Sequence, residues 1–151
     1  MNNYFKQISL ATLIVVCLIA VLSDSCTTRC QPYYTGKLCI PVNQNFVAKY
    51  AGSFIVVADA HSNPPVPDTI TITAGTQPDT LLVNDVTTPI IGTVGPNYSS
   101  FNVPAQTVIY SSVPLVIQSG SGTLAGDTLT VRLSATSGGL PVSITYTGWK
   151  E

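Results

Sequence analysis

The sequence predicts an all-β domain, an antiparallel up-and-down meander curled into a small barrel or sandwich, behind an N-terminal export segment. Three observations predict it. Apolar and polar residues alternate with period two in several stretches, Thr, Val and Ile abound where Lys, Glu and Arg are scarce, and turn-forming clusters punctuate the chain at short intervals. Alternation gives a strand one covered and one wet face, because successive side chains leave a pleated backbone on opposite sides. Sheets with one wet face are antiparallel more often than parallel.

Residues 1–25 read as an export signal. Lys6 stands in a short polar opening, Ile8 to Leu22 is apolar almost throughout, and Ser23-Asp24-Ser25 supplies small residues for cleavage. A membrane-crossing helix needs roughly 20 apolar residues, more than this run contains; an uncleaved, short signal anchor is the alternative.

Residues 26–45 read as a cysteine-containing tether. Cleavage before Cys26 would leave an N-terminal cysteine for acylation and carry Cys17 away with the signal. Cys30 and Cys39 would then remain as an even pair for a disulfide, which is chemically reasonable in an oxidising compartment. Asp24 and the lack of an aliphatic residue three before the cysteine make this a loose lipidation site, so a free thiol or an intermolecular disulfide at Cys26 stays open. Zinc fits poorly, since no histidine is in reach to complete a tetrahedron with the three cysteines. Pro32, Gly36 and Pro41 favour turns. The segment is either a spacer or, through Tyr33, Tyr34 and Leu38, a cap folded back on the domain.

Residues 46–151 form the β domain, of a size that supports a modest core. Strands are predicted at Ser53–Ala60, across "DTITITAG" with Ile70 and Ile72 inward, at Thr80–Val86, Ile90–Val94, Ser100–Val103 and Gln106–Tyr110, and from Val113 to about Gly120. Two more follow in "TLTVRLS", with Leu129, Val131 and Leu133 on the covered face, and in "PVSITYTG", with Val142, Ile144 and Tyr146 there. Turn formers lie between them in "HSNPPVPD", "GTQPD", "VTTP", "GPNYS", "GTLAGD" and "TSGG". Closure into a barrel would hide strand edges that otherwise invite pairing with another chain. A Greek-key sandwich stays open, because alternation says which face is buried and not how strands connect.

The runs "KYAGSF" (49–54), "DTITITAG" (68–75), "LLVNDV" (81–86), "FNVPAQTV" (101–108), "GSGTLAGDTLTVRLSA" (120–135) and "ITYTG" (144–148) resemble the small lipocalin-like, or calycin-like, lipoproteins of Bacteroidota. The resemblance covers roughly two thirds of the chain. It implies a lipocalin-like barrel held at the outer membrane by an acylated cysteine, with no assigned activity. That family often carries a further cysteine pair within the barrel, and this sequence has none after Cys39.

Chemistry is sparse. His61, the single histidine, sits between Asp59 and Ser62 in a Pro- and Asn-rich loop, but neighbours in sequence need not converge as nucleophile, base and orienter. No catalytic residue is assigned. Asp59, Asp68, Asp79, Asp85 and Asp127 sit mostly beside turn formers, where carboxylates usually hydrogen-bond the local backbone. They show no calcium-loop spacing, although a weak site built from loop carboxylates stays open. "GSGTLAG" lacks the lysine and the following helix of a nucleotide loop and reads as a hairpin loop. Nucleic acid is excluded as a partner: residues 51–148 hold one basic side chain, Arg132, against five acidic ones. Arg29, Lys37 and Lys49 make the tether basic, suited either to anionic head groups or simply to solubility.

The expected function is therefore noncatalytic and needs no cofactor or metal. The chain is expected to be a lipid-anchored envelope protein, binding membrane lipid through Cys26 and a small apolar ligand or an envelope partner through its barrel; without acylation it would be secreted. The alternative is a surface or assembly protein acting through strand edges. Phe54, Phe101, Val103, Leu129, Leu133 and Tyr146 either fill the interior or leave room for one small ligand. Tyr98, Tyr110 and Trp149 are candidate contacts at a binding rim, since aromatics combine contact area with a polar handle; they would serve equally to close the barrel ends.

Overall fold

The computed structural model of the chain describes residues 30–36, 38–59, 61–85, 87–110 and 112–151. The export segment, Cys17, Cys26, Arg29 and Lys37 lie outside the described residues. Residues Tyr33–Glu151 form one compact unit, and Cys30 and Cys39 are each disulfide-bonded.

Strands β1 (Tyr34–Thr35) and β2 (Ile40–Pro41) pair as a small hairpin, and a single 3-10 turn follows at Val42–Asn45. Then come β3 (Ala48–Ala58), β4 (His61–Ser62), β5 (Val66–Ala74), β6 (Thr80–Asn84), β7 (Ile90–Val94), β8 (Ser100–Val103), β9 (Gln106–Tyr110), β10 (Val113–Ala125), β11 (Thr128–Ser137) and β12 (Leu140–Lys150). Each long strand pairs antiparallel with its predecessor, and β12 returns to pair with β3 from Val142↔Ala58 to Lys150↔Tyr50. The meander thus closes as an eight-stranded antiparallel barrel with additional short strands. This is the all-β architecture expected from the alternation, and closure selects the barrel over the open sandwich.

The faces follow the alternation. Leu129, Val131, Leu133, Ile70, Ile72 and Tyr146 are buried, while Thr69, Arg132, Ser134 and Ser143 are exposed on the outer face. Hairpin turns are tight where the residues allow positive φ. Gly138 and Gly139, at φ 58 and 84, form the two-residue link from β11 to β12, a conformation that costs a side chain heavily and glycine little.

One stave of the barrel is broken. The stretch 100–110 bends at Pro104–Ala105, so β8 pairs with the far half of β10 (Gly120↔Val103) and β9 with its near half (Ile117↔Gln106). Opposite the break, a register shift between Ile117 and Ser119 marks a bulge in β10. The extra residue reverses the alternation of that strand: Leu115 and Ile117 face inward before it, Gly120 and Gly122 after it.

The bulge explains the main difference from the sequence reading. "GTLAGD" is not a turn over its length, and "GSGTLAG" is not a hairpin loop, because β10 runs on to Ala125. Only Gly126 and Asp127 link Ala125 to Thr128. The strand glycines are there for close approach: a Cβ on Gly122 would lie 2.0 Å from the ring of Phe101, and one on Gly92 would lie 2.9 Å from the same ring. The strand expected from Ser53 also starts earlier, at Ala48.

The segment before the barrel does fold back on it, through residues other than those first singled out. Val42 and Phe46 are wholly buried, whereas Tyr33 and Leu38 are exposed. Asn43 holds the 3-10 turn against the β5–β6 connection: its backbone N–H donates to the Pro78 carbonyl, and its Nδ2 donates to the carbonyls of Gln77 and Thr80, both at 3.0 Å. Phe46 meets Phe101 edge to face, with ring centroids 5.4 Å apart. This end of the barrel is closed.

Candidate binding cavity

Side-chain volume is distributed unequally along the barrel axis. Toward the 3-10 turn the inward positions carry Phe46, Tyr50, Ile72, Leu81, Phe101 and Leu129, all wholly buried. Toward the other end the same faces of β3, β11 and β12 carry Val56, Ala58, Val131, Ser137, Val142 and Ile144. Short side chains on staves of the same spacing do not meet across the axis. The result is a cavity of about 400 Å³ at this end, within the roughly 300–1,000 Å³ range of small-molecule sites.

The six residues expected either to fill the interior or to leave room in it divide between both roles. Phe101, Val103 and Leu129 pack the closed end; Phe54, Leu133 and Tyr146 line the cavity. Tyr146 lies at the boundary between the two halves, where its hydroxyl donates to the Tyr50 carbonyl at 2.5 Å. The Tyr50 hydroxyl in turn donates to the Phe46 carbonyl at 2.9 Å. The two tyrosines therefore tie the cavity floor to the capping segment, each satisfying a buried hydroxyl that would otherwise weaken the core.

The walls are aliphatic with few exceptions: Asp85, Tyr110, Ser137 and the Tyr146 hydroxyl are the polar groups lining the space. Asp85, just past the end of β6, is open to water on one side and to the cavity on the other. Its carboxyl is pushed up to about 6, by burial first, then by the charge of Asp68 and by the hydrogen bond that protonated Asp85 can donate to the Asp68 carboxylate. The Tyr110 and Tyr146 hydroxyls are also raised above their ordinary range, chiefly by burial, and both carboxylates add to the effect.

Of the three aromatics considered for a rim, Tyr110 lines the cavity while remaining exposed at its mouth. Tyr98 lies in the β7–β8 connection, where its carbonyl accepts from Asn45 at 3.4 Å, and Trp149 pairs with Thr128 and Ala51 near the end of β12. These two belong to the closed end, away from the cavity. His61 is exposed on β4 and its Nδ1 meets the Asp59 carbonyl at 2.8 Å.

Asp68 and Asp85 were expected to bond the local backbone; Asp68 does so, its Oδ1 accepting from the Thr69 N–H at 2.8 Å, while Asp85 lines the mouth of the cavity. Their position was signalled in the sequence. Asp68 stands two residues before Ile70 and Asp85 two after Val83, on the faces that alternation assigns to the interior. Among the described residues, no group of three His, Cys, Asp or Glu side chains gathers to hold a metal.

No family model matches the chain, and no curated protein is similar to it. Among solved structures it is similar to a Bacteroides fragilis protein described as a candidate outer membrane protein, with a TM-score of 0.58 and 14% identity over 74% of this chain. The chain spans about half of that structure, 54% of its length, and at this identity the likeness is one of fold: an antiparallel β-barrel shared with a Bacteroides protein.

Proposed function

We propose that the chain is a noncatalytic protein of the cell envelope, lipid-anchored at Cys26, whose barrel holds a small apolar ligand. The observation that carries this reading is the apolar cavity of about 400 Å³, closed at one end and reached from the other. The envelope location draws on the export-like residues 1–25 and on the fold shared with a Bacteroides protein described as a candidate outer membrane protein.

Association with a membrane would rest on the anchor, because the barrel itself has the wrong polarity to span a bilayer. Membrane barrels turn an apolar band outward and a polar face inward, whereas here Ile70, Val131 and Leu133 face inward and Thr69, Arg132 and Ser134 outward. The disulfide-bonded state of Cys30 and Cys39 suits an oxidising compartment.

Titration of the purified protein with the neutral fluorophore N-phenyl-1-naphthylamine tests the cavity. Saturable enhancement is expected, and Leu133→Trp, which places an indole in the space, should abolish it with folding retained. A lack of enhancement, or equal binding by the variant, would overturn the ligand reading. Intact mass spectrometry of the membrane fraction tests the anchor: a chain beginning at Cys26 with added acyl mass is expected, and an unmodified soluble chain would refute it.

One observation favours the second reading, assembly through a strand edge. Among the described residues the backbone of β9 pairs along one flank, with β10, and stands at the end of the sheet's pairing path, its other flank being joined to β7 through the Gln106 side chain. Concentration-dependent oligomers abolished by a proline at Ile109 would support strand addition there.

A further inference from the structure

Apart from Ser137, the polar groups lining the cavity are Asp85, Tyr110 and Tyr146, and Asp68 stands beside Asp85. Because Thr71 pairs with Asn84, the inward-facing Asp68 of β5 and Asp85 beyond β6 are diagonal neighbours on the inner face, near enough for the charge of Asp68 to act on the Asp85 carboxyl. Tyr110 of β9 completes the group, and Tyr146 of β12 lies below it, close enough that both carboxylates act on its hydroxyl. The other staves lining the space, β3, β7, β10 and β11, present aliphatic or aromatic side chains and Ser137; no Lys, Arg or His is among the lining residues.

Two adjacent carboxylates are an ordinary surface feature by themselves. Above a deep aliphatic space they define a head-group position, because anything that fills the space has its exit beside them. We propose that the cavity takes an amphiphile with a cationic ammonium head, its aliphatic tail among Val131, Leu133 and Ile144 and its head between Asp68 and Asp85. This deepens the ligand-binding reading above and rests on it. A protonated amine offers donors to both carboxylates and relieves their mutual repulsion, whereas a carboxylate head would add a third negative charge. At a water-like volume of about 30 Å³ per heavy atom, a cavity of about 400 Å³ accepts roughly a dozen heavy atoms, the size of a dodecyl chain.

Acidity should tune the site. Asp85 is pushed up to about 6, so its carboxyl is charged at pH 7.5 and mostly protonated at pH 5. Affinity for an ammonium head then falls on acidification, while affinity for a neutral head of the same tail does not.

The test compares dodecylammonium, dodecanol and dodecanoate, each below its micellar concentration, as competitors of N-phenyl-1-naphthylamine on the wild-type protein. At pH 7.5 dodecylammonium should bind about tenfold or more tighter than dodecanol, as charge-assisted hydrogen bonds predict, and dodecanoate more weakly than either. The ammonium advantage should shrink at pH 5. It should vanish in the Asp68→Asn/Asp85→Asn variant, whose dodecanol affinity stays unchanged. Equal affinities for the three heads in the wild-type protein, or a preference for dodecanoate, would overturn the head-group assignment and leave the apolar cavity standing. Failure of the fluorophore and of all three amphiphiles would overturn both.

Discussion

Replacing Gln106 by Met should open the seam of the barrel without disturbing its core. The register of β7 on β8 runs through Thr93↔Asn102 and Val94↔Phe101; continued, it would set Ile91 opposite Pro104, which has no N–H to donate. The side-chain amide of Gln106 takes the missing place. Its Oε1 accepts from the Ile91 N–H at 2.9 Å and its Nε2 donates to the Ile91 carbonyl at 2.8 Å, as a facing backbone would. Nε2 also reaches the Pro104 carbonyl at 3.2 Å. Methionine keeps the length of the side chain and removes the amide. Two bonds worth about 0.5–1.5 kcal/mol each give about 1–3 kcal/mol, and their exposure to water places the loss in the lower half of that range. The readouts are the urea midpoint and exchange of the Ile91 amide proton, which should lose its protection while the amides of Leu81 and Leu129 keep theirs. Glutamate should fall in between, because it can still accept from Ile91 N–H but sets a carboxylate against the Ile91 carbonyl. An unchanged midpoint together with a protected Ile91 amide in Gln106→Met would refute the argument.

Gly122→Ala should cost about 1–3 kcal/mol, since the new methyl would meet the Phe101 ring; combining it with Phe101→Leu should recover part of that loss in a double-mutant cycle of urea unfolding. Asn43→Ala removes both donations to the β5–β6 connection, and a drop of about 2 kcal/mol with faster exchange of the Phe46 amide is expected. The pH dependence has a definite sign. Asp85 is raised in the folded chain from an ordinary 3.8 to about 6, so the unfolded chain releases this proton first, and the contribution of Asp85 to stability declines as pH rises from about 4 to 6. Thermal midpoints should accordingly be higher at pH 5 than at pH 7.5, and Asp85→Asn should flatten that difference; an unaltered profile in the variant would contradict the assignment.

How much of this was legible depended on the range of the interaction concerned. The limits of β7, β8 and β9 and the inward faces of β5, β11 and β12 follow from alternation over a few residues, a property of the pleated backbone itself. The role of the β10 glycines was not legible. Glycine serves turns and close approaches alike, and at Gly122 the choice is made by Phe101, about twenty residues earlier in the chain. The alternation of β10 was itself disguised, because the bulge after Ile117 reverses it midway. Asp68 and Asp85 carried the inward parity of their strands, yet their proximity to turn formers pointed to local backbone bonding. Only the pairing of β5 with β6 brings the two carboxyls together.

The sequence by itself determined most of the long strands, the wet and covered faces of β5, β11 and β12, and the export-like segment ahead of them, because each depends on residues a few positions apart. Closure of the meander, capping by Val42 and Phe46, and the space beneath Asp85 were decided by the tertiary structure. A cavity is the difference between the room enclosed by eight staves and the summed volume of the side chains they turn inward. No single strand contains that difference, and it comes into being only when β12 returns to β3.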